Sequence, residues 1–287
     1  MTITLTLTDA QIRHLQTTYA THKVTKEIPY VIAQYKLSEV TITVYTSKKV
    51  VFSGDGASFH ASVYSPKIHA HGGSDEVGTG DVFGPVVVVA TYVDEAAFDQ
   101  LKTYPIQDSK AMSDELVREI APVLMQHVPY SLLILTNEKY NQVQTQNNLN
   151  AIKAKLHNQA YLHLAKKVTL GSFNVVDQFT PEALYYRYLN QEPEVFRSLH
   201  FETKAESKYF AVACASVIAR YAFLKELDAM GQRYHTTFPK GASATVEAFA
   251  AAFLAQHGLK TLKKVAKVHF KTIQRLLDIH TDPDPMR

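Results

Sequence analysis

Val86-Val87-Val88-Val89-Ala90 forms a fully apolar strand. The loop feeding it sets two adjacent carboxylates among glycines, in Gly73-Ser74-Asp75-Glu76-Val77-Gly78-Thr79-Gly80-Asp81-Val82-Phe83-Gly84-Pro85. Carboxylates side by side repel each other and resist burial. They persist where a cation, a proton or a strong donor set neutralises them. Asp75 and Glu76 therefore read as ligands of divalent metal ions, with the glycines leaving room for a polyanionic backbone. A dinucleotide fingerprint is the competing reading of Gly78-x-Gly80 with Gly84. It fails because that fingerprint needs its glycines to open a helix, and these lead into Pro85 and a strand. Carboxylates ahead of the loop would also repel a pyrophosphate.

The chain has 287 residues, 46% apolar and 20% charged, which is the make-up of a globular protein with a real core and about two domains. A net charge of +3 is too mild to establish a nucleic-acid partner. The single cysteine, Cys214, excludes an intrachain disulfide and suits a reducing compartment. It sits in the small-residue run Ala211-Val212-Ala213-Cys214-Ala215 and reads as a buried structural thiol. The apolar run from Phe83 to Val93 falls well short of the roughly 20 residues of a membrane span. Asp9 and Arg13 occupy the place where a secretion signal needs an apolar core. A soluble, cytoplasmic, monomeric protein is expected.

Residues 1–66 read as a small β-α-β-β-β unit. Thr2 to Leu7 alternates threonine with apolar residues, Thr8 caps a helix from Asp9, and three strands follow near 30–36, 39–46 and 49–53, with a hairpin at Ser47-Lys48. Tyr30, Tyr35, Tyr45 and Phe52 alternate there with lysines, a combination able to hold a nucleic-acid backbone on a sheet face. The alternative is an ordinary sheet with aromatics packed under its helix. Residues from Ser65 to Gly73 read as a linker.

Beyond the linker, strands alternate with helices, which indicates an α/β domain with a mixed sheet. Function gathers at strand ends in such sheets. Asp177 closes the apolar strand Asn174-Val175-Val176-Asp177, and Glu206 opens a helix beside a short strand. Taken singly, these are also ordinary capping or first-turn acids. With Asp75 and Glu76 they make an oxygen-only set suited to Mg²⁺ or Mn²⁺ over zinc. Two such ions about 4 Å apart clamp the attacking and leaving oxygens of a phosphodiester. His69-x-His71 raises a zinc alternative but lacks partnering cysteines. Neighbouring strand residues point to opposite faces, so Asp75 and Glu76 meet at one site only if the chain bends at Glu76. A final helix from Leu259 to Leu277 is expected to carry Lys260, Lys263, Lys264, Lys267 and Lys271 along one side, as a solvated face or a phosphate contact.

These residues together resemble the type 2 ribonucleases H, and within them bacterial ribonuclease HIII. Asp75-Glu76-Val77-Gly78-Thr79-Gly80 is similar to that family's first motif in its glycine-threonine-glycine form. Asp108-Ser109-Lys110, Val176-Asp177-Gln178-Phe179 and Thr203-Lys204-Ala205-Glu206-Ser207 are similar to the later ones, in order. The resemblance implies a ribonuclease H-like catalytic domain over 72–287, a mixed sheet flanked by helices. Ahead of it, 1–66 would be a substrate-binding α+β domain resembling the TATA-box-binding protein fold. It implies an endonuclease that hydrolyses the RNA strand of RNA–DNA hybrids and leaves 5′-phosphate and 3′-hydroxyl ends. Asp75, Glu76, Asp177 and Glu206 would hold two Mg²⁺ or Mn²⁺ ions. Gly78, Thr79 and Gly80 would sense the ribose 2′-hydroxyl, and Ser109, Lys110 and Lys204 would contact the nucleic-acid backbone. The rivals are another nuclease of the ribonuclease H-like class and a non-catalytic hybrid-binding protein. Retention of all four carboxylates counts against the second.

Overall fold

Thr8 starts the first helix with a capping box: the Gln11 N–H donates to Thr8 Oγ1 (3.3 Å), and the Thr8 N–H donates to Gln11 Oε1 (2.9 Å). The computed structural model describes residues 1–25, 28–64, 68–106 and 112–281. Its contacts divide the chain into two compact units, Met1–Lys67 and Ile68–Arg287.

The first unit contains β1 (Thr2–Thr6), α1 (Asp9–Thr18), β2 (Val31–Lys36), β3 (Thr41–Tyr45), β4 (Lys49–Ser53) and α2 (Ala57–Ser62). Its sheet is antiparallel, in the order β1-β4-β3-β2. Alternation sends Tyr35, Ile42, Val44, Val50 and Phe52 inward, onto Ile12, Leu15 and Tyr19. Tyr35 and Phe52 therefore do not belong to an aromatic binding face; they are the floor of the core, 1% and 0% exposed. The opposite face carries Thr4, Lys36, Thr43, Tyr45 and Lys49, with Gln34 Nε2 donating to Thr43 Oγ1 across the strands.

The second unit is built on a five-stranded mixed sheet, β7-β6-β5-β8-β9. The strands are β5 (His71–Val77), β6 (Val86–Val93), β7 (Tyr130–Leu135), β8 (Asn174–Asp177) and β9 (His200–Glu202). β5, β6 and β7 pair antiparallel, while β8 runs parallel to both β5 and β9. The helices are α3 (Glu95–Leu101), α4 (Asp114–His127), α5 (Asn137–Val143), α6 (Leu149–Ala165), α7 (Glu182–Tyr188), α8 (Phe210–Tyr234), α9 (Ala244–Val265) and α10 (Lys271–Thr281). The valine run is uniformly apolar because both of its faces are covered. Val87, Val89 and Val93 pack with α4 and α8, whereas Val86, Val88 and Ala90 pack with Tyr140, Ile152 and Tyr161 of α5 and α6.

α8 lies very close to β5. A Cβ at Gly73 would stand 2.3 Å from the Val212 nitrogen, and Thr91 Oγ1 donates to the Ala211 carbonyl at 2.7 Å. The alanine-rich start of α8 is what allows this approach. Cys214 is buried inside it, and burial pushes its thiol pKa up.

Two expectations about element boundaries change. His71, Gly72 and Gly73 belong to β5 and not to a linker. The expected helix from Leu259 to Leu277 is interrupted. Residues 266–270 separate α9 from α10, whereas Gly258, just ahead of Leu259, has the non-helical torsions (φ 76°, ψ 166°) of the expected helix start. The break at 266–270 is tertiary in origin. The backbone there is drawn into pairing with the glycine loop, Gly84 N–H to Val265 O (3.1 Å) and Lys267 N–H to Val82 O (2.9 Å).

Candidate active site

β5 runs as a regular strand through both carboxylates, with Asp75 opposite Val89, Glu76 opposite Val88 and Val77 opposite Val87. The expected bend at Glu76 is absent; the chain turns at Gly78, φ 92°. Strand alternation therefore holds, and the two carboxylates face different layers. The reason is the β6 ladder, which supplies backbone partners up to Val77 and leaves no cause to deform at Glu76.

Asp75 faces α8. It is 8% exposed, receives a hydrogen bond from Ser216 and accepts from the Glu76 N–H at 2.8 Å. The parallel ladder aligns Ser74 with Val176, so Asp75 and Asp177 follow side by side at the same strand ends. Burial first, then the charges of Glu76 and Asp177, push the Asp75 carboxyl up to about 8. Asp177 Oδ1 accepts from the Ala205 N–H at 3.0 Å. That bond ties β8 to the short 3-10 turn Ala205–Ser207, which holds Glu206 buried at 4% exposure. Strand ends and one turn thus bring Asp75, Asp177 and the segment carrying Glu206 to the α8 side of the sheet. Lys204 stands exposed at the start of that turn in the left-handed conformation, φ 55°.

Glu76 faces α6, where it meets residues that the sequence reading passed over. Lys153 Nζ pairs with its Oε1, and His157 Nε2 lies 2.9 Å from its Oε2. An ionised carboxylate only accepts, so His157 donates from Nε2. Its Nδ1 meets Ser74 Oγ at 2.8 Å. Phe179, just beyond Asp177, stacks on the His157 ring and lies 3.9 Å under Lys153 Nζ. Burial opposes ionisation of Glu76, but the hydrogen bond and charge of His157 and the Lys153 ammonium outweigh it and hold the pKa below the usual glutamate value. One signal was available in the sequence: Lys153 and His157 stand four apart on a helix, hence on one face.

Gly78 and Gly80 differ in what their missing side chains do. At Gly78, φ is positive and a Cβ would lie 2.1 Å from the Pro85 carbonyl oxygen, so the fold itself requires glycine. At Gly80 a Cβ would meet nothing within 4 Å. Gly80 is exposed and Thr79 partly so. Ser109 and Lys110 lie outside the described residues. His71 is no zinc ligand here: Nδ1 engages the His69 carbonyl at 2.8 Å, and Nε2 accepts from the Ala211 N–H at 3.3 Å.

Among the described residues no group of three or more His, Cys, Asp or Glu side chains is arranged to hold a metal ion by itself. The Asp75–Asp177 pair nevertheless fits a hard divalent ion. It offers oxygen donors only, and a cation would relieve the repulsion and burial that oppose ionisation of Asp75.

Comparison with known proteins places the chain in a family. The family model of ribonuclease HII matches residues 72–273, and a model described as a domain of unknown function matches residues 2–76. Ribonuclease HIII of Bacillus mycoides is 39% identical over 268 residues, covering 84% of this chain and 86% of the relative. That of Listeria monocytogenes is 37% identical over 291 residues, covering 93% and 94%. The crystal structure of Bst-RNase HIII in complex with Mn²⁺ superposes with a TM-score of 0.72 at 31% identity, covering 98% of this chain and 99% of that one. Ribonuclease H2 of Pyrococcus horikoshii, at 19% identity and a TM-score of 0.63 over 74% of this chain, shares the fold. With its carboxylates at the ends of adjacent parallel strands and its relatives matched over most of its length, this chain belongs to the ribonuclease HIII enzymes of the type 2 ribonuclease H family.

Proposed function

We propose that the protein is a divalent-metal-dependent endonuclease that hydrolyses the RNA strand of RNA–DNA hybrids. The observation that carries this is Asp75 beside Asp177 at the ends of adjacent strands, with the Asp75 carboxyl pushed up to about 8. A buried acid beside a half-buried one is poorly placed for stability and well placed for metal chemistry. Mg²⁺ is commonly held by one or two carboxylates and completed by substrate phosphates, so an incomplete cage suits a site that substrate finishes.

Asp75, Asp177 and Glu206 would hold the ions on the α8 side of the sheet, with Glu76 flanking them from the α6 side, where Lys153 and His157 engage its carboxylate. A bound divalent ion supplies Lewis acidity toward the phosphodiester and makes water nucleophilic at neutral pH. The Lys153–His157 pair keeps Glu76 ionised and fixed in direction. Attack at phosphorus with loss of the 3′-oxygen leaves 5′-phosphate and 3′-hydroxyl ends. Gly80, with open space where a side chain would stand, lets the RNA strand bring its 2′-hydroxyl to the backbone. Lys204 contacts the nucleic-acid backbone from the Glu206 turn, and Ser109 and Lys110 do so from the preceding motif. The threonine- and lysine-bearing face of the first unit adds phosphate contacts.

The test is cleavage of a uniform RNA–DNA hybrid, a DNA duplex, an RNA duplex and a DNA duplex with one embedded ribonucleotide, each with Mg²⁺ and with Mn²⁺. Cleavage of the uniform hybrid, lost in Asp75→Asn with hybrid binding retained, is expected. Equal cutting of the DNA duplex, or near-normal turnover by Asp75→Asn, would refute the reading.

A further inference from the structure

Lys267 is a lysine with no exposure to solvent. Its Nζ donates to the Asp81 carbonyl at 2.9 Å and to the Gly84 carbonyl, while its own N–H donates to Val82 O at 2.9 Å. Beside it, Asn137, 3% exposed, donates Nδ2 to the same Gly84 carbonyl at 2.9 Å. The loop is held from a second direction too: the Gly241 N–H donates to Asp81 Oδ1 at 2.6 Å, and the Val82 N–H donates to Gly241 O at 2.9 Å. Asp81, Val82 and Gly84 are thus tied, whereas the adjoining tip at Gly80 is open.

A buried ammonium is costly. Burial holds the Lys267 pKa down to about 7, against the pull of the Asp81 charge. An aliphatic side chain of similar length would fill the same space without that cost. What it could not do is donate to two carbonyls of one loop. We propose that Lys267, with Asn137 beside it, is a positioning residue that fixes the backbone of the Gly78–Gly84 loop and thereby sets discrimination for the ribose-bearing strand. The proposal rests on the reading of that loop as the contact to RNA. Lys267 reaches no reacting atom; it acts through the carbonyls of Asp81 and Gly84, which determine where Thr79 and Gly80 present their backbone. It lies between α9 and α10, where the chain leaves helical geometry at 266–270, and not on a solvated lysine face.

The experiment measures hybrid and DNA-duplex affinity, KM and kcat for the wild-type chain, Lys267→Met and Asn137→Ala. Wild-type preference for cleaving hybrid is established first, and its absence would count against the functional reading itself. Given that preference, Lys267→Met is expected to raise KM for hybrid by about tenfold or more. DNA-duplex affinity should stay unchanged and kcat should fall far less. Asn137→Ala, which removes one of two donors to Gly84, is expected to shift KM in the same direction by a smaller factor. If Lys267→Met does not fold, Asn137→Ala decides. A wild-type ratio of hybrid to duplex affinity in the folded variants overturns the proposal. So does an equal loss on both substrates, which would mark a general structural role.

Discussion

Asp75 shows how a single side chain is set by its neighbours. On a solvated loop it would titrate near 3.8; between α8, Asp177 and Glu76 its carboxyl is pushed up to about 8. The sign of the linkage follows. A carboxyl whose folded pKa is raised contributes stability that is fully present below the unfolded pKa and is lost as pH rises through the folded one. In metal-free protein, Asp75→Asn is therefore expected to be more stable than wild type by about 1–2 kcal/mol at pH above 8. The gap should close as pH falls toward 4. Denaturation midpoints across that range, in chelator, check this. A variant no more stable than wild type at high pH would mean that Asp75 is not under charge strain. Glu76, one residue away, has the opposite balance, because Lys153 and His157 supply what Asp75 lacks. Sequence adjacency said that these two acids belong together. Strand alternation decided that their surroundings differ.

At the scale of elements, the contact between β5 and α8 positions the site, and the glycines separate structural from functional demands. Gly73→Ala would drive a methyl into the backbone of α8 at Val212. A loss of roughly 3 kcal/mol is expected, since neither element can retreat without disturbing the valine core. Gly80→Ala meets no neighbour in the chain. Its stability should stay within about 0.5 kcal/mol of wild type. On the proposed reading of the loop tip as the contact to RNA, hybrid KM should rise all the same. Thermal midpoints and steady-state kinetics on both variants test the contrast, and a Gly80→Ala enzyme with unchanged KM would remove the loop tip from substrate recognition. The first helix start was legible at this scale. Thr8 caps the helix that follows, a local matter of one side chain and one turn. The interruption at 266–270 was not legible. Its residues have helical character, and the competing partners are backbone groups of a loop about 180 residues earlier, on the order of Lys267 to Gly84.

At the scale of the whole molecule, each unit has its own hydrophobic core. Removal of residues 1–67 is therefore expected to leave a folded catalytic unit that cleaves hybrid at a similar kcat but binds it more weakly. The slope of log affinity against log salt should also become shallower as phosphate contacts are lost. Binding isotherms at several salt concentrations measure both, and superimposable curves with and without the first unit would refute its role in binding.

The sequence by itself determined what depends on local pattern. The valine run specified a fully apolar strand, and the motifs around Asp75, Glu76, Asp177 and Glu206 carried the resemblance to the family. Tertiary structure alone decided what depends on distant partners. Tyr35 and Phe52 face inward because the sheet's register places them against α1. Glu76 turns to Lys153 and His157 because β6 pairing keeps β5 straight. Lys267 is buried because the glycine loop offers carbonyls that only a long donor can reach. The physical reason is common to all three: one-dimensional periodicity reports which residues share a face, while register and packing decide what that face meets.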